Sequence, residues 1–167
     1  MPTVAEVFKP MLGKWAWQVR RGHGSFLTME FGEPHLVVRH PRSVSDNVSD
    51  RVKRNFQKRR VSIVGEWHFW VQSCDWKITT SNSSISSEDT DFLKVDSCLE
   101  ELDGQVLLAS NEDASRASCT LEFDLGARLA LSPSPNFMDD DQWAVYYFGQ
   151  TVYAYRSHGE ITMSSPS

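Results

Sequence analysis

No stretch of this 167-residue sequence approaches the ~20 consecutive apolar residues of a membrane-spanning helix. The N-terminal run M-P-T-V-A-E-V-F-K-P has no basic segment leading into an apolar one, so no secretory signal is read and the cytoplasm is the expected location. Cysteine is scarce. Cys74, Cys98 and Cys119 are odd in number and widely spaced, which excludes a disulfide framework and fits a reducing compartment. Neither C-x-x-C, H-x-x-x-H nor H-E-x-x-H occurs, so these cysteines and His23, His35, His40, His68 and His158 lack metal-ligand spacing. The glycine motifs that cradle phosphates and the G-x-S-x-G nucleophile motif are also missing, and no cofactor is expected. Positive charge is in deficit. Lys and Arg number 17 against 22 Asp and Glu, and a net charge of −5 speaks against nucleic-acid binding by the protein as a whole.

What is present is an ordinary globular composition, 40% hydrophobic and 23% charged. A chain this long buries roughly 70% of its unfolded surface, enough to hold one domain without metal or disulfide. The expected domain spans residues 1–163, with a frayed tail at 164–167. Thr3 and Glu6 have capping-box spacing before an apolar face of Val4, Val7, Phe8 and Met11, predicting a short N-terminal helix. Period-two alternation then predicts strands. In residues 14–20 it sets Trp15, Trp17 and Val19 on one face, and two further strands make a meander. The apolar stripe Phe92, Val95, Leu99 and Leu102, stopped by Gly104, predicts one long helix over about 88–103, capped by Ser86 or Ser87. Residues 118–125, with Leu121, Phe123 and Leu125 inward, open a second β region that includes 142–148 and 151–156, with a turn at Gly149–Gln150. The fold class expected is α+β, mainly antiparallel. We expect a strongly curved sheet or half-open barrel of about eight to ten strands, carrying the long helix.

Two stretches stand out. Residues 61–80 hold three of the six tryptophans, and residues 61–71 are apolar on both alternating faces, which predicts an interior strand. A break is expected near 72–75. Just before it, residues 39–60 carry eight basic residues against Asp46 and Asp50. That stretch is +6, so the rest of a chain of net −5 must be −11. Residues 41–60 are expected to be a basic mobile loop, with one short helical piece where Val48, Val52 and Phe56 recur at helical spacing.

Four blocks give the chain a distinctive signature: G-S-F-L-T-M-E-F-G-E-P-H-L (24–36), G-E-W-H-F-W (65–70), F-D-L-G (123–126) and D-Q-W (141–143). Together they resemble a group of small hypothetical bacterial proteins. The resemblance would cover nearly the whole chain and implies a bacterial single-domain protein. No activity is assigned to that group, so it carries over no functional residue.

The chemical candidates are few. Glu66 and His68 are two apart on an expected strand, where they would share a face and form a carboxylate–imidazole pair fit for general base chemistry. No nucleophile is spaced beside them, and an ordinary polar pair is the simpler reading. Asp139, Asp140 and Asp141 would point alternate ways, so a solvated loop is expected instead of a cation cage. Arg51, Lys53, Arg54, Lys58, Arg59 and Arg60 suit an acidic protein partner, and Trp143 and Tyr147 are interface-type aromatics. The sequence therefore points to a non-catalytic protein-binding module, such as a bacterial immunity or accessory factor. The alternatives are a small-molecule-binding barrel and an enzyme built on Glu66 and His68.

Overall fold

Thr3 opens the fold as the sequence predicts. Its hydroxyl accepts the Glu6 N–H at 3.2 Å, and the Glu6 carboxylate accepts the Thr3 N–H at 2.7 Å. The reciprocal cap starts helix α1 (Val4–Phe8), and a 3-10 turn (Lys9–Met11) follows at Pro10. Val4, Val7, Phe8 and Met11 are all buried. The computed structural model describes residues 1–148 and 151–164. The turn expected at Gly149–Gln150 and residues 165–167 of the tail lie outside that range.

Among the described residues thirteen strands follow, all paired antiparallel, more than the eight to ten expected. The larger sheet is built from β1 (Ala16–Arg21), β2 (Leu27–Phe31), β5 (Trp67–Val71), β11 (Asp141–Tyr147), β12 (Thr151–Arg156) and β13 (Ile161–Ser164), in the order β1-β2-β5-β11-β12-β13. A second sheet combines β6 (Cys74–Thr79), β7 (Ser84–Ser86), β8 (Leu107–Asp113), β9 (Ser118–Phe123) and β10 (Arg128–Pro133), in the order β7-β6-β10-β9-β8. A bridge from Trp15 to Val106 joins the edges at β1 and β8, and the chain crosses again where β5 runs through Gln72 and Ser73 into β6. The sheets do not close into a barrel. One core cluster runs from Val4 on α1 to Ile161 on β13 and takes side chains from both sheets. The remaining two described strands, β3 (His35–Arg39) and β4 (Arg60–Val64), pair with each other and with no other described strand, and helix α2 (Asp50–Phe56) lies between them in sequence.

Helix α3 (Phe92–Leu102) buries Val95, Cys98, Leu99 and Leu102 against the core. It starts four residues later than expected because β7 takes residues 84–86 into the sheet beside β6. Asp91 then caps α3, accepting the Lys94 N–H at 3.3 Å. Phe92 falls at the helix's open end and is exposed. Gly104 terminates it with a φ of +91°, a conformation that glycine adopts without strain.

Strand β1 departs from strict alternation. Trp17 pairs with Glu30 and Arg20 with Thr28, so Gln18 and Val19 together oppose the single residue Met29. That bulge, with Gln18 at φ +49°, turns Ala16 and Val19 inward and leaves Trp15 exposed. The Asp103 carboxylate accepts the Val19 N–H at 2.9 Å and ties α3 to the bulge. Leu125, expected inward, lies past the end of β9 and is exposed.

The interior strand expected over 61–71 is two strands with different fates. β5 is central in the larger sheet, whereas β4 leaves it, and Val61 and Ile63 are 60% and 52% exposed. The break at 72–75 occurs as predicted, but a second one falls at Gly65–Glu66.

All three cysteines are free and buried. Burial pushes each thiol up, that of Cys119 to about 12, so each stays protonated near neutrality. At about pH 8, where an exposed thiol is partly ionised, an aromatic disulfide reagent is expected to titrate no cysteine in the native protein and all three in denaturant. One fast-reacting native thiol would refute this.

Candidate functional site

The β2–β3 and β4–β5 segments form one long hairpin whose outer half swings out of the sheet. Phe31 pairs with Trp67 and His35 with Val64, leaving residues 32–34 opposite 65–66 at the root of the arm. Two glycines make this crossing. A Cβ on Gly65 would sit 2.6 Å from the Phe31 carbonyl oxygen and 3.0 Å from its nitrogen. Gly32 has a φ of +80°, and a Cβ there would run into the Glu66 carboxylate. Buried Glu30 accepts the Gly65 N–H at 3.0 Å, and the Trp17 indole donates to the Gly32 carbonyl at 3.0 Å.

This root separates Glu66 from His68. Glu66 lies in the connection between β4 and β5, and its carboxylate binds the Lys14 ammonium at 2.9 Å and accepts the Glu33 N–H at 3.3 Å. His68 Nδ1 instead meets Glu30 Oε1 at 2.7 Å across the β2–β5 pairing. Spacing of two puts side chains on one face only while both residues are in the strand, and Glu66 is not. The partner was hidden at residue 30, where only strand register could reveal it.

The hydrogen bond from Lys14, reinforced by Glu33 and by nearby charge, holds the Glu66 carboxyl below its usual pKa. A carboxyl lowered in the fold stabilises it above the unfolded value, near 4.5, and loses that contribution as pH falls through the folded value. Glu66→Gln is therefore expected to cost under about 1 kcal/mol at neutral pH, since both partners are part-exposed, and to flatten the decline of stability below about pH 5. Urea titrations across pH check this, and parallel profiles would refute it.

Glu30, His68 and Tyr146 form a row across β2, β5 and β11 on the outer face of the larger sheet, beside Trp70 and Phe26. Burial, with Asp141 nearby, pushes the Tyr146 phenol up and keeps it a neutral hydroxyl. The row carries an oriented imidazole, but no sulfur nucleophile is available to it because all three thiols are buried.

The arm itself is basic. Ser49 caps α2 by accepting the Val52 N–H at 3.4 Å, and Asp50 occupies its first turn. The short helical piece expected within the basic loop 41–60 is this capped helix, with Val52 and Phe56 half-buried and Val48 lying before it. Between α2 and the ribbon end is an open pocket of about 670 Å³. Val52 and Phe56 supply its apolar surface, Arg39, Arg42, Lys58 and Arg60 its charge, and His40 and Asn55 further polar groups. No carboxylate among the described residues lines it. The Arg42 guanidinium lies 4.5 Å from the Phe56 ring centroid, and Arg59 Nε donates to His40 Nδ1 at 3.3 Å. Arg39 and Arg60 are directly opposed across the ribbon, a like-charge pairing that costs stability until an anion screens it.

Of the residues singled out from sequence, Lys58 and Arg60 line this pocket. Arg51, Lys53, Arg54 and Arg59 belong to the same arm without lining it, and Lys53 is 3.8 Å from Asp46. Tyr147 is half-buried, its ring 4.4 Å from that of Trp67 near the arm's base. Trp143 is only 1% exposed and stacks on Tyr155, so it has no surface to offer a partner. Asp139 and Asp140 are solvated as expected, while Asp141 enters β11 and pairs with Arg156 at 3.4 Å. Sequence reasoning missed Arg39, His40 and Arg42 as pocket residues. It also missed the exposed apolar face of the ribbon formed by Leu36, Val38, Val61 and Ile63. Alternation is the available signal, but over residues 61–71 it predicts an interior strand instead.

No group of three His, Cys, Asp or Glu side chains is placed to hold a metal among the described residues, and no described helix is long and apolar enough to cross a membrane. Comparison with family models, curated proteins and solved structures finds no match.

Proposed function

We propose that this chain is a non-catalytic protein-binding module that holds an acidic partner protein on its basic arm, in the manner of a bacterial immunity or accessory factor acting in the cytoplasm. One observation carries the reading. A pocket with four Arg or Lys side chains and no carboxylate sits on a +6 segment of a chain that is otherwise −11. Opposed charge of this size steers a partner to the arm and sets its orientation. The small-molecule alternative loses support because the sheets do not close and the buried Trp76 and Trp143 belong to the core cluster. Catalysis keeps one supporting observation, the imidazole of His68 oriented by Glu30, but the buried cysteines offer that row no thiol.

The test is capture from a lysate of the source cells, with wild type beside the triple variant Arg39→Glu, Arg42→Glu, Arg60→Glu. Wild type is expected to retain an acidic protein that nuclease treatment does not release, that ~0.5 M salt does release, and that the variant loses more than tenfold. Identical capture by the two proteins, or loss on nuclease treatment, overturns the reading.

A further inference from the structure

We propose that the partner's contact is an extended strand added to an edge of the β3–β4 ribbon, with acidic side chains on one face alternating with aliphatic ones on the other. This rests on the acidic-partner reading and states the form the partner takes.

The ribbon is two-faced. Leu36 pairs with Ile63 and Val38 with Val61, so these four side chains share one face, and they are 65%, 52%, 44% and 60% exposed respectively. Arg39 and Arg60 pair on the opposite face and line the cationic pocket. Successive side chains of a strand point to opposite faces. A third strand of acidic–aliphatic alternation therefore meets both surfaces at once, its carboxylates toward the pocket and its aliphatic groups extending the bare apolar face. A helix or a folded surface would satisfy one face and leave the other open.

The edges are available, since no other described strand pairs with β3 or β4. A lone two-stranded ribbon is marginal in water, and a third strand supplies backbone hydrogen bonds and apolar cover together. Charge decides which strand is admitted. The ribbon of a second copy would bring another +6 segment against the first, whereas an acidic strand relieves the Arg39–Arg60 opposition. The basic residues thus guard these edges against self-pairing, as edge lysines do in natural sheets, and leave them open to an anionic strand.

The probe is a labelled heptapeptide of alternating Glu and Val, capped at both ends and titrated by anisotropy against the full-length protein. Three controls accompany it: a block isomer of the same composition, the alternating peptide with N-methyl groups at every second residue on its donor edge, and the Ile63→Glu protein. The alternating peptide is expected to bind at least tenfold tighter than the block isomer. N-methylation and Ile63→Glu should each remove that advantage, and bound peptide should slow amide exchange within residues 35–39 or 60–64. Equal binding of the two isomers overturns the strand proposal and leaves a purely electrostatic arm. Failure of both to bind also overturns it, and the acidic-partner reading is judged separately by the capture experiment. Unaltered binding of the N-methylated peptide, or exchange slowed elsewhere only, overturns it as well.

Discussion

Trp143→Ala is expected to destabilise the fold by about 3–5 kcal/mol, the cost of truncating a large aromatic side chain in a core. Trp143 is 1% exposed and joins several elements. Its ring stacks on Tyr155 at 4.8 Å and 7°, lies 5.4 Å from Phe8 and meets Phe69 edge-on at 5.6 Å. It therefore couples α1, β5, β11 and β12 within the core cluster. Truncation removes apolar burial and leaves a cavity that four aromatic-bearing elements cannot easily close. For a domain of this size the loss corresponds to a fall in Tm of roughly 6–20 °C. Urea denaturation should show a lower midpoint with an unchanged slope. The sequence suggested Trp143 as a partner contact. A contact residue would leave stability near wild type and weaken binding instead, so the same variant decides between the two roles.

Gly65→Ala is expected to cost about 2–3 kcal/mol, although it adds one methyl group and changes no charge. The new Cβ would fall 2.6 Å from the Phe31 carbonyl oxygen and 3.1 Å from the Glu30 Cβ. The nearest atom is backbone within a paired strand, so no flexible side chain can yield. Relief requires moving the Gly65 backbone away from β2, which lengthens the bond from the Gly65 N–H to Glu30. The arm is then no longer held at its root. The variant should lower Tm by roughly 4–12 °C and speed amide exchange in residues 60–64 more than in β9 and β10 of the other sheet. Gly24→Ala is the control for chain entropy, because that glycine has nothing within 4 Å of its would-be Cβ, although its φ of +65° adds local strain. A Gly65→Ala protein as stable as wild type would refute the close approach.

The strands were legible where alternation was clean and a turn residue bounded it, as in residues 27–31, 118–123 and 151–156. The N-terminal cap was legible because Thr3 and Glu6 carry it locally. Legibility failed where a neighbour decided. The bulge at Gln18 exists because β1 must fit β2 while Asp103 holds the Val19 N–H. The late start of α3 follows from β7 pairing with β6. At the candidate site the basic charge of residues 39–60 was visible, but its partition was not. Arg39 and Arg60 face each other only because β3 pairs with β4, and Arg42 joins them only because α2 places Phe56 beneath it.

Composition and local pattern by themselves determined the α+β class, the antiparallel strands, the two well-signalled helices and the concentration of positive charge in one segment. Those properties depend on periodicity and on charge counted along the chain. Tertiary structure alone decided which apolar strand was buried. Val61 and Ile63 look as hydrophobic as Phe69 and Val71, yet the first pair lies in a ribbon with one neighbour and the second in the middle of a six-stranded sheet. Burial depends on what covers a face, and a strand carries no record of its cover. The same reason separates Glu66 from His68 and joins His68 to Glu30. Contact across a sheet is set by register between distant segments, and register is settled only when the whole hairpin, with its two glycines at the root, closes.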